Sequence, residues 1–276
     1  MVKKLTNNKM NIFLYTIIFI CGTLFGSFYT LAVYRIPKGI DIVKKHSYCP
    51  NCNHKLGILD LFPVLSYIFL GGRCRYCKQK IRARYLILEI LSGVTFVIFA
   101  YVLKIDAYKF EINKIILLAF MVLYFTAIVL ISAIDKEYRN INKKLLAYAV
   151  VISLLYMIYL YIIERSSIYR YAIYLAIYIA LLGIDTFILR RYAKNNYYID
   201  LLLYFMMIIM FMEYPISIIT LMLFIVLILI DVIIRKIKQK KWHESIKIEK
   251  IPFGFYLGAS NIITILFMCF INICVM

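Results

Sequence analysis

Long apolar runs recur along this 276-residue chain and restrict its fold more than any other feature. Eight such runs occupy residues 11–34, 85–103, 115–134, 145–163, 168–189, 199–212, 216–234 and 253–275. A helix of about 20 apolar residues crosses a bilayer with all its backbone hydrogen bonds made internally. Hydrophobic residues make up 64% of the chain, whereas soluble domains are about half apolar. We therefore predict an all-α polytopic membrane protein with about eight transmembrane helices.

The positive charge predicts the orientation of the chain. Net charge is +19, and the loops after the first, third, fifth and seventh runs carry about 11, 4, 3 and 7 Lys and Arg residues. All other loops and the N-terminal segment together carry 8. Because cytoplasmic loops collect Lys and Arg, we expect the first set in the cytoplasm and both termini outside. Positive charge collected in these loops indicates that they face anionic lipid headgroups, and we expect no nucleic-acid partner.

The long polar loop over residues 35–84 carries two Cys-x-x-Cys pairs. They read Cys49-Pro-Asn-Cys52 and Cys74-Arg-Tyr-Cys77, with 21 residues between Cys52 and Cys74. Two such pairs supply the four thiolates of a closed tetrahedral Zn²⁺ site. Two disulfides or four unliganded thiols are the alternatives, although a reducing cytoplasm favours metal. A closed site is structural, so any catalytic chemistry must lie elsewhere.

These features divide the chain into three predicted parts. Residues 1–34 form the first transmembrane helix, residues 35–84 the cytoplasmic zinc loop, and residues 85–276 a seven-helix membrane core. Gly22 and Gly26 stand four residues apart in the first run. Small residues at this spacing predict a close helix–helix contact in lipid.

Two aspartates at the cytoplasmic ends of apolar runs are the candidates for catalysis. Asp135 ends the third run and Asp200 opens the sixth. Ionisable groups at the membrane edge are costly and often functional. Two carboxylates that share a site divide into a base and an acid, which together can activate water against a peptide carbonyl. Alternatively, each aspartate caps a helix or pairs with a lysine.

Other acids have simpler explanations or less suitable places. Asp185 lies deeper within the fifth run. Asp231 precedes Arg235 by four residues, which predicts an ion pair along one helix. Glu89 follows a group of arginines and is explained by a salt bridge with one of them.

Eight short stretches between residues 26 and 254 occur in the order known from one protein family. They are Gly26-Ser-Phe28, Tyr34-Arg35-Ile-Pro37, Cys49-Pro-Asn-Cys52, Pro63-Val-Leu-Ser66, Gly72-Arg-Cys74-Arg-Tyr-Cys77, Arg84-Tyr85 with Glu89-Ile-Leu-Ser-Gly93, Ala133-Ile-Asp135 and Ile251-Pro-Phe-Gly254. Together they resemble the type IV prepilin peptidases, membrane aspartic proteases that process type IV pilins and the pseudopilins of type II secretion. The cysteine loop with its flanks is the most specific part of the resemblance.

The resemblance implies an activity, a cofactor and a location. It implies cleavage of a prepilin or pseudopilin leader peptide at the cytoplasmic face of the bacterial inner membrane, by a multi-pass protein. It also implies N-methylation of the new N-terminus with S-adenosylmethionine by the same chain. Asp135 matches the first family aspartate. The second lies in a Gly-x-Gly-Asp motif that this chain lacks; Asp200 occupies the corresponding place, and Asp185 is its rival.

Two other classes of function stay open on the sequence. The missing glycines are compatible with a non-enzymatic scaffold or assembly protein that keeps the fold and the zinc loop. A transporter would need ionisable groups or broken helices near the bilayer midplane, and most acids here lie at the edges. No residues that would bind S-adenosylmethionine can be identified.

Overall fold

A computed structural model of the chain describes residues 2–42, 46–109, 111–164, 168–189, 197–212, 214–242 and 251–271. Within these residues the secondary structure is helical apart from isolated bridges. The helices are α1 (Val2–Arg35), α2 (Ile58–Leu61), α3 (Leu65–Phe69), α4 (Arg84–Val102), α5 (Ile112–Tyr138), α6 (Lys143–Glu164), α7 (Ile168–Gly183), α8 (Tyr197–Met212), α9 (Tyr214–Trp242) and α10 (Phe253–Phe270). A π-helical turn, Ile184–Leu189, follows α7. Each of the eight predicted runs corresponds to one helix, and α2 and α3 lie in the polar loop.

Six of these helices are long and apolar enough to cross a membrane. The spans are Lys9–Lys38, Arg84–Val102, Ile112–Tyr138, Lys143–Ile163, Pro215–Ile237 and Phe253–Phe270. Two shorter apolar helices cover Tyr171–Thr186 and Tyr197–Met212. The predicted all-α multi-pass membrane protein is thus confirmed, with six long spans and two short helices making up the eight.

The chain divides into two compact units, Met1–Val122 and Leu123–Met276. The first unit holds α1 to α4, the cysteine loop and the start of α5. The second holds the rest of α5 and all later helices. The three predicted parts of the chain, with boundaries at residues 34 and 84, remain a prediction.

In the first unit, α1 packs on α4 through small residues. A Cβ atom at Gly22 would stand 2.7 Å from the Cα of Gly93, and one at Gly26 would stand 2.7 Å from the Cα of Glu89. Contacts this short leave no room for a side chain, so the two backbones approach as closely as glycine allows. The close contact predicted from the spacing of Gly22 and Gly26 is confirmed.

In the second unit, a buried polar chain links three helices. The Tyr124 hydroxyl of α5 donates to Asn261 Oδ1 of α10 at 3.0 Å, and Asn261 Nδ2 lies 3.5 Å from Thr220 Oγ1 of α9. The Tyr124 ring also stacks on Phe211 of α8, with centroids 3.8 Å apart. Buried polar groups need partners, so this chain fixes the positions of the helices around it.

Candidate active site and metal centre

The two cysteine pairs sit in two turns of the same construction. Cys49 N–H donates to the His54 carbonyl and Cys74 N–H to the Gln79 carbonyl, at 3.0 and 2.9 Å. Isolated antiparallel bridges close each turn, from Tyr48 to Lys55 and from Arg73 to Lys80. The residue after the second cysteine has positive φ in both turns, 56° at Asn53 and 58° at Lys78. Each turn therefore directs its two thiols to the same side.

The four thiols converge on one point. The Sγ atoms of Cys49, Cys52, Cys74 and Cys77 lie within 4.8 Å of one another, and all four cysteines are free rather than disulfide-bonded. Sγ of Cys49 and Sγ of Cys77 are 3.8 Å apart. Four sulfurs bound tetrahedrally to Zn²⁺ at about 2.3 Å stand about 3.8 Å from each other. The cluster thus has the donors and the spacing to hold a metal ion such as zinc.

The four thiols differ in their surroundings. The His54 N–H acts to lower the pKa of Cys52, but desolvation and the contacts with Cys49 and Cys77 outweigh it and raise that pKa to about 11. The backbone N–H of Gln79 and the side-chain amide of Asn51 lower the pKa of Cys77 to about 6. Asn51 Nδ2 lies 3.6 Å from the Cys77 sulfur. Both donors favour the thiolate, which is the form that ligates a metal.

Side chains outside the cluster tie the loop together. Arg35, buried at the end of α1, donates to the carbonyls of Asp41, Ile42 and His46 at 3.1 to 3.2 Å. Arg75 Nε lies 2.6 Å from Asp60 Oδ1. Burial alone would raise the pKa of Asp60, but Arg75 and the Gly57 N–H outweigh it and lower that pKa. These contacts give the loop a fixed shape beside the metal centre.

A cavity of about 300 Å³ lies beside the cysteine loop in the first unit. Its lining includes the buried acid Glu89 and four tyrosines, Tyr34, Tyr48, Tyr67 and Tyr85. Glu89 accepts a hydrogen bond from the Val64 N–H at 2.8 Å. A carboxylate among aromatic rings suits a cationic ligand.

Asp135 lies near the C-terminal end of α5 with no exposed surface. Its Oδ2 accepts hydrogen bonds from the Tyr197 hydroxyl of α8 and from the Phe255 N–H of α10, both at 3.0 Å. The same hydroxyl accepts the Gly254 N–H at 3.2 Å. The carboxylate thus satisfies the Phe255 N–H in the first turn of α10, and the Tyr197 hydroxyl satisfies the Gly254 N–H. Its Oδ1 is buried and has no hydrogen-bond partner among the described residues.

Asp200 and Asp185 share a lysine. Nζ of Lys143, at the start of α6, lies 2.8 Å from Asp185 Oδ2 and 3.3 Å from Asp200 Oδ1. Both aspartates are buried, at 3% and 4% exposure, whereas the Lys143 side chain is 38% exposed. The alternatives foreseen for the two candidate aspartates therefore both occur, since Asp135 caps a helix and Asp200 pairs with a lysine.

Two tyrosines on one side of α8 contact α5, and Asp200 lies between them along the helix. Tyr197, Asp200 and Tyr204 lie on the same side of the helix because they are three and seven residues apart. Tyr197 contacts Asp135, and the Tyr204 hydroxyl lies 3.0 Å from Ser132 Oγ, one turn earlier on α5. Asp200 stands between these two contacts on that face.

Two residues of this site, Tyr197 and Lys143, were not identified as candidates from the sequence. Tyr197 precedes Asp200 by three residues, a spacing that indicates a shared helix face. Lys143 follows Asp135 by eight residues but resembles any other lysine of a cytoplasmic loop. By contrast, the predicted ion pair of Asp231 with Arg235 is confirmed, with 2.6 Å between Oδ2 and Nε.

Comparison with known proteins points to one family. Residues 20–103 match the model of the bacterial peptidase A24 N-terminal domain. A prepilin leader peptidase/N-methyltransferase of Klebsiella pneumoniae is 35% identical over 92 residues, which cover 31% of this chain and 40% of that protein. The protein of the same name from Vibrio cholerae is 38% identical over 87 residues, covering 28% and 34%.

A longer and weaker match is to the prepilin leader peptidase/N-methyltransferase of Dichelobacter nodosus. It is 26% identical over 147 residues, which cover 44% of this chain and 48% of that protein. The matched segments thus span less than half of each of these relatives. No solved structure matches the chain. The resemblance to the prepilin peptidase family is confirmed, and the family model covers the cysteine loop and its flanking helices.

Proposed function

We propose that this chain is a membrane aspartic endopeptidase that removes the leader peptide of a type IV prepilin or pseudopilin. The names of its relatives and the match to the A24 N-terminal domain support the substrate class. The observation that carries the aspartic mechanism is the state of Asp135. Its Oδ2 is held by two donors, while its buried Oδ1 has no partner among the described residues. A buried acceptor without a partner destabilises the fold, so its presence here calls for an explanation, and a catalytic role supplies one.

Asp135 and Asp200 would act as a pair. One carboxylate takes a proton from a water molecule, whose oxygen then forms a bond to the scissile carbonyl carbon. The other carboxyl group gives its proton to the amide nitrogen as the C–N bond breaks. The shared face of α8 supports this pairing, because Asp200 lies on it between contacts to Asp135 and Ser132.

Cleavage at the cytoplasmic edge of the inner membrane fits the chemistry of the substrate. A helix inside lipid makes all its own backbone hydrogen bonds and offers no open peptide bond to water. The scissile bond must therefore be presented at the interface. Asp135 ends the span Ile112–Tyr138, and Asp200 lies in the first turn of a short apolar helix, so both stand at helix ends.

The four-cysteine cluster would hold a structural Zn²⁺. All four sulfurs are needed to complete a tetrahedral site, so no open position remains for substrate. The ion would stabilise the fold of the loop and take no part in cleavage.

Methylation of the new N-terminus is the second activity, and the cavity beside Glu89 is our candidate site for it. S-adenosylmethionine, when bound, supplies a methyl group on a positively charged sulfur. Glu89 and the surrounding tyrosines would hold that charge. The cavity volume of about 300 Å³ is at the lower end for ligand pockets.

A catalytically inactive assembly protein of the same fold is the alternative. The Gly-x-Gly-Asp motif is missing before Asp200, and Lys143 binds Asp200 and Asp185 together. Asp185 is also the rival for the second catalytic position.

Cleavage of a prepilin in membranes that contain this protein tests these alternatives. The panel is Asp135→Asn, Asp200→Asn and Asp185→Asn, with Asp231→Asn as the matched control, because Asp231 pairs with Arg235 elsewhere in the second unit. We expect the first two changes to lower the cleavage rate at least about a hundredfold and the control to leave it unchanged. Loss through Asp185→Asn with Asp200→Asn active would move the second position to Asp185. No cleavage by the unaltered protein would favour the assembly role.

A further inference from the structure

The cysteine loop contains a short segment whose apolar side chains are exposed and whose acid is buried. Residues 58–69 carry the helices α2 and α3 and read Ile-Leu-Asp-Leu-Phe-Pro-Val-Leu-Ser-Tyr-Ile-Phe. Its large apolar side chains are exposed, with Ile58 at 84%, Leu59 at 75%, Ile68 at 60% and Phe69 at 82%. Its one acid, Asp60, is turned inward to Arg75, with a side chain only 6% exposed. In a loop surrounded by water the reverse arrangement is expected.

The segment contacts a spanning helix close to its first residue. The Val64 N–H donates to Glu89, which is five residues beyond the start of the spanning helix α4. At 1.5 Å per residue, this contact is about 7 Å along α4 from its first residue. The cavity between the segment and the spans is lined by Leu61 and Ser66 together with Leu31 of α1 and Leu86 of α4. The segment thus packs against the ends of both helices rather than standing off in the cytoplasm.

Basic residues flank the segment on both sides in the sequence. Lys55 precedes it, and Arg73, Arg75, Lys78, Lys80, Arg82 and Arg84 follow it. An apolar surface with neighbouring Lys and Arg side chains is complementary to anionic lipid headgroups above acyl chains. The flanking positive charge, the contact near the start of α4 and the exposed apolar side chains all favour a lipid bilayer as the occupant of this surface.

We propose that residues 58–69 are an interfacial membrane anchor, which inserts its exposed apolar side chains into the cytoplasmic leaflet. The cysteine cluster and the Asp60–Arg75 pair hold the anchor from the loop side, and the bilayer covers its outer side. The loop is then fixed to the membrane at α1, at α4 and at a third place between them. This inference concerns the loop alone and stands independently of the proposed peptidase activity.

Tryptophan fluorescence of the full chain in bilayer nanodiscs tests this anchor. The chain has a single tryptophan, so Trp242→Phe provides a background without one. Phe69→Trp and Ile58→Trp then report on the anchor, and Gln79→Trp is the matched control, an exposed position of the same loop. Each variant is measured with plain lipids and with lipids brominated in their acyl chains.

We expect brominated lipid to quench Phe69→Trp and Ile58→Trp about threefold more than Gln79→Trp, since interfacial helices bury 5–10 Å into the acyl boundary. Leu59→Trp and Ile68→Trp serve as further reporters if either first variant fails to fold. Equal quenching at all positions would overturn the proposal. A second outcome would also overturn the proposal. In it, brominated lipid does not quench the tryptophan, and the emission shifts only when a prepilin helix is added. That result would assign the surface to the substrate.

Discussion

The Asp135 carboxylate combines an observed structural role with the chemical role that we propose for it. Its Oδ2 caps the first turn of α10 through the Phe255 N–H and binds the Tyr197 hydroxyl, so its position is fixed by two other helices. Its Oδ1 makes no hydrogen bond to any of the described residues. A reactive carboxylate must be held within a fraction of an ångström, and this arrangement holds one oxygen and presents the other.

Tyr197→Phe tests how far catalysis depends on this positioning. The change removes one of the two hydrogen bonds to Asp135 Oδ2 and leaves the Gly254 N–H without its acceptor. Hydrogen bonds to a charged group contribute about 1.5–3 kcal/mol, so we expect kcat for prepilin cleavage to fall about tenfold or more. The Michaelis constant should change little. Tyr198→Phe is the matched control because the Tyr198 side chain is 63% exposed; equal losses in both variants would contradict the assignment.

Lys143→Met tests the lysine shared by two buried acids. The change leaves Asp185 and Asp200 side by side without a cation. Both acids are buried, but the Lys143 side chain is 38% exposed, so water screens part of the lost attraction. We expect a lower melting temperature in detergent and cleavage reduced about tenfold. Lys143→Arg should recover most of both properties.

Lys144→Met is the control for this change, because the neighbouring Lys144 side chain is exposed. If the Lys144 variant loses as much activity as the Lys143 variant, the effect comes from the positive charge of the loop and not from the bridge.

For individual residues, the sequence was enough to select the two candidate acids but not the groups that contact them. Asp135 and Asp200 could be selected because acids at the ends of apolar runs are scarce. Lys143 could not, since a lysine before a membrane helix is ordinary in a cytoplasmic loop. The backbone N–H groups of Gly254 and Phe255 have no signature in the sequence, although Gly254 ends the last block of the resemblance and Phe255 follows it.

Among the elements, the two cysteine turns are near copies of each other. Both use an N–H to carbonyl bond from the first cysteine and a positive φ after the second. The Cys-x-x-Cys spacing predicted the ligands, because the turn follows from that spacing. It could not predict the positive φ of Lys78, which most residues avoid and which glycine adopts readily.

Cys52→Ser tests the metal centre. With one of four sulfurs removed, the site is incomplete, and we expect bound zinc in the purified protein to fall from one ion per chain to a small fraction. Elemental analysis by mass spectrometry measures it. Cys21→Ser, a cysteine in α1 outside the cluster, should keep its zinc. Full zinc in both variants would mean that other residues bind the metal.

Gly258→Ala tests how tightly α10 packs in the second unit. A Cβ at this position would overlap the Ser132 hydroxyl and stand 2.6 Å from the Tyr204 hydroxyl. Overpacking of this kind costs about 1–3 kcal/mol, so the melting temperature in detergent should fall. Ser132→Ala in the same chain should recover part of the loss.

Gly183→Ala is the control for this helix contact, because no atom of the described residues lies within 4 Å of a Cβ at Gly183. We expect it to leave the melting temperature unchanged or slightly raised, since alanine favours helix over glycine. A stable Gly258 variant would show that α10 can shift away from α5 at little cost.

The long apolar runs predicted the eight apolar helices, but they did not predict α2 and α3 in the polar loop or the π-helical turn after α7. The runs are long enough that backbone hydrogen bonding in lipid permits only helix. The helices α2 and α3 are four and five residues long, too short for a periodic signal. The π-helical turn that carries Asp185 depends on local packing, which no pattern in the sequence reports.

For the whole molecule, the two compact units divide the candidate chemistry between them. The first contains the four-cysteine cluster and the cavity with Glu89, and the family-model match lies within it. The second contains Asp135, Asp200, Asp185 and Lys143. Each unit thus has its own buried acid and its own candidate activity. The match to the peptidase family model therefore lies outside the unit that holds the proposed peptidase residues.

This division predicts that the two activities can be removed one at a time. Glu89→Gln takes the charge from the cavity in the first unit but keeps an oxygen for the Val64 N–H. We expect it to lower methyl transfer to a pre-cleaved pilin peptide at least about tenfold while cleavage of the full prepilin persists. Asp135→Asn should do the reverse, since its contacts lie in the second unit. Radiolabelled methyl incorporation and a gel-shift cleavage assay measure the two rates on the same preparations. Loss of both activities in each variant would show that one site serves both reactions, and it would remove Glu89 from the methylation proposal without touching the assignment of Asp135.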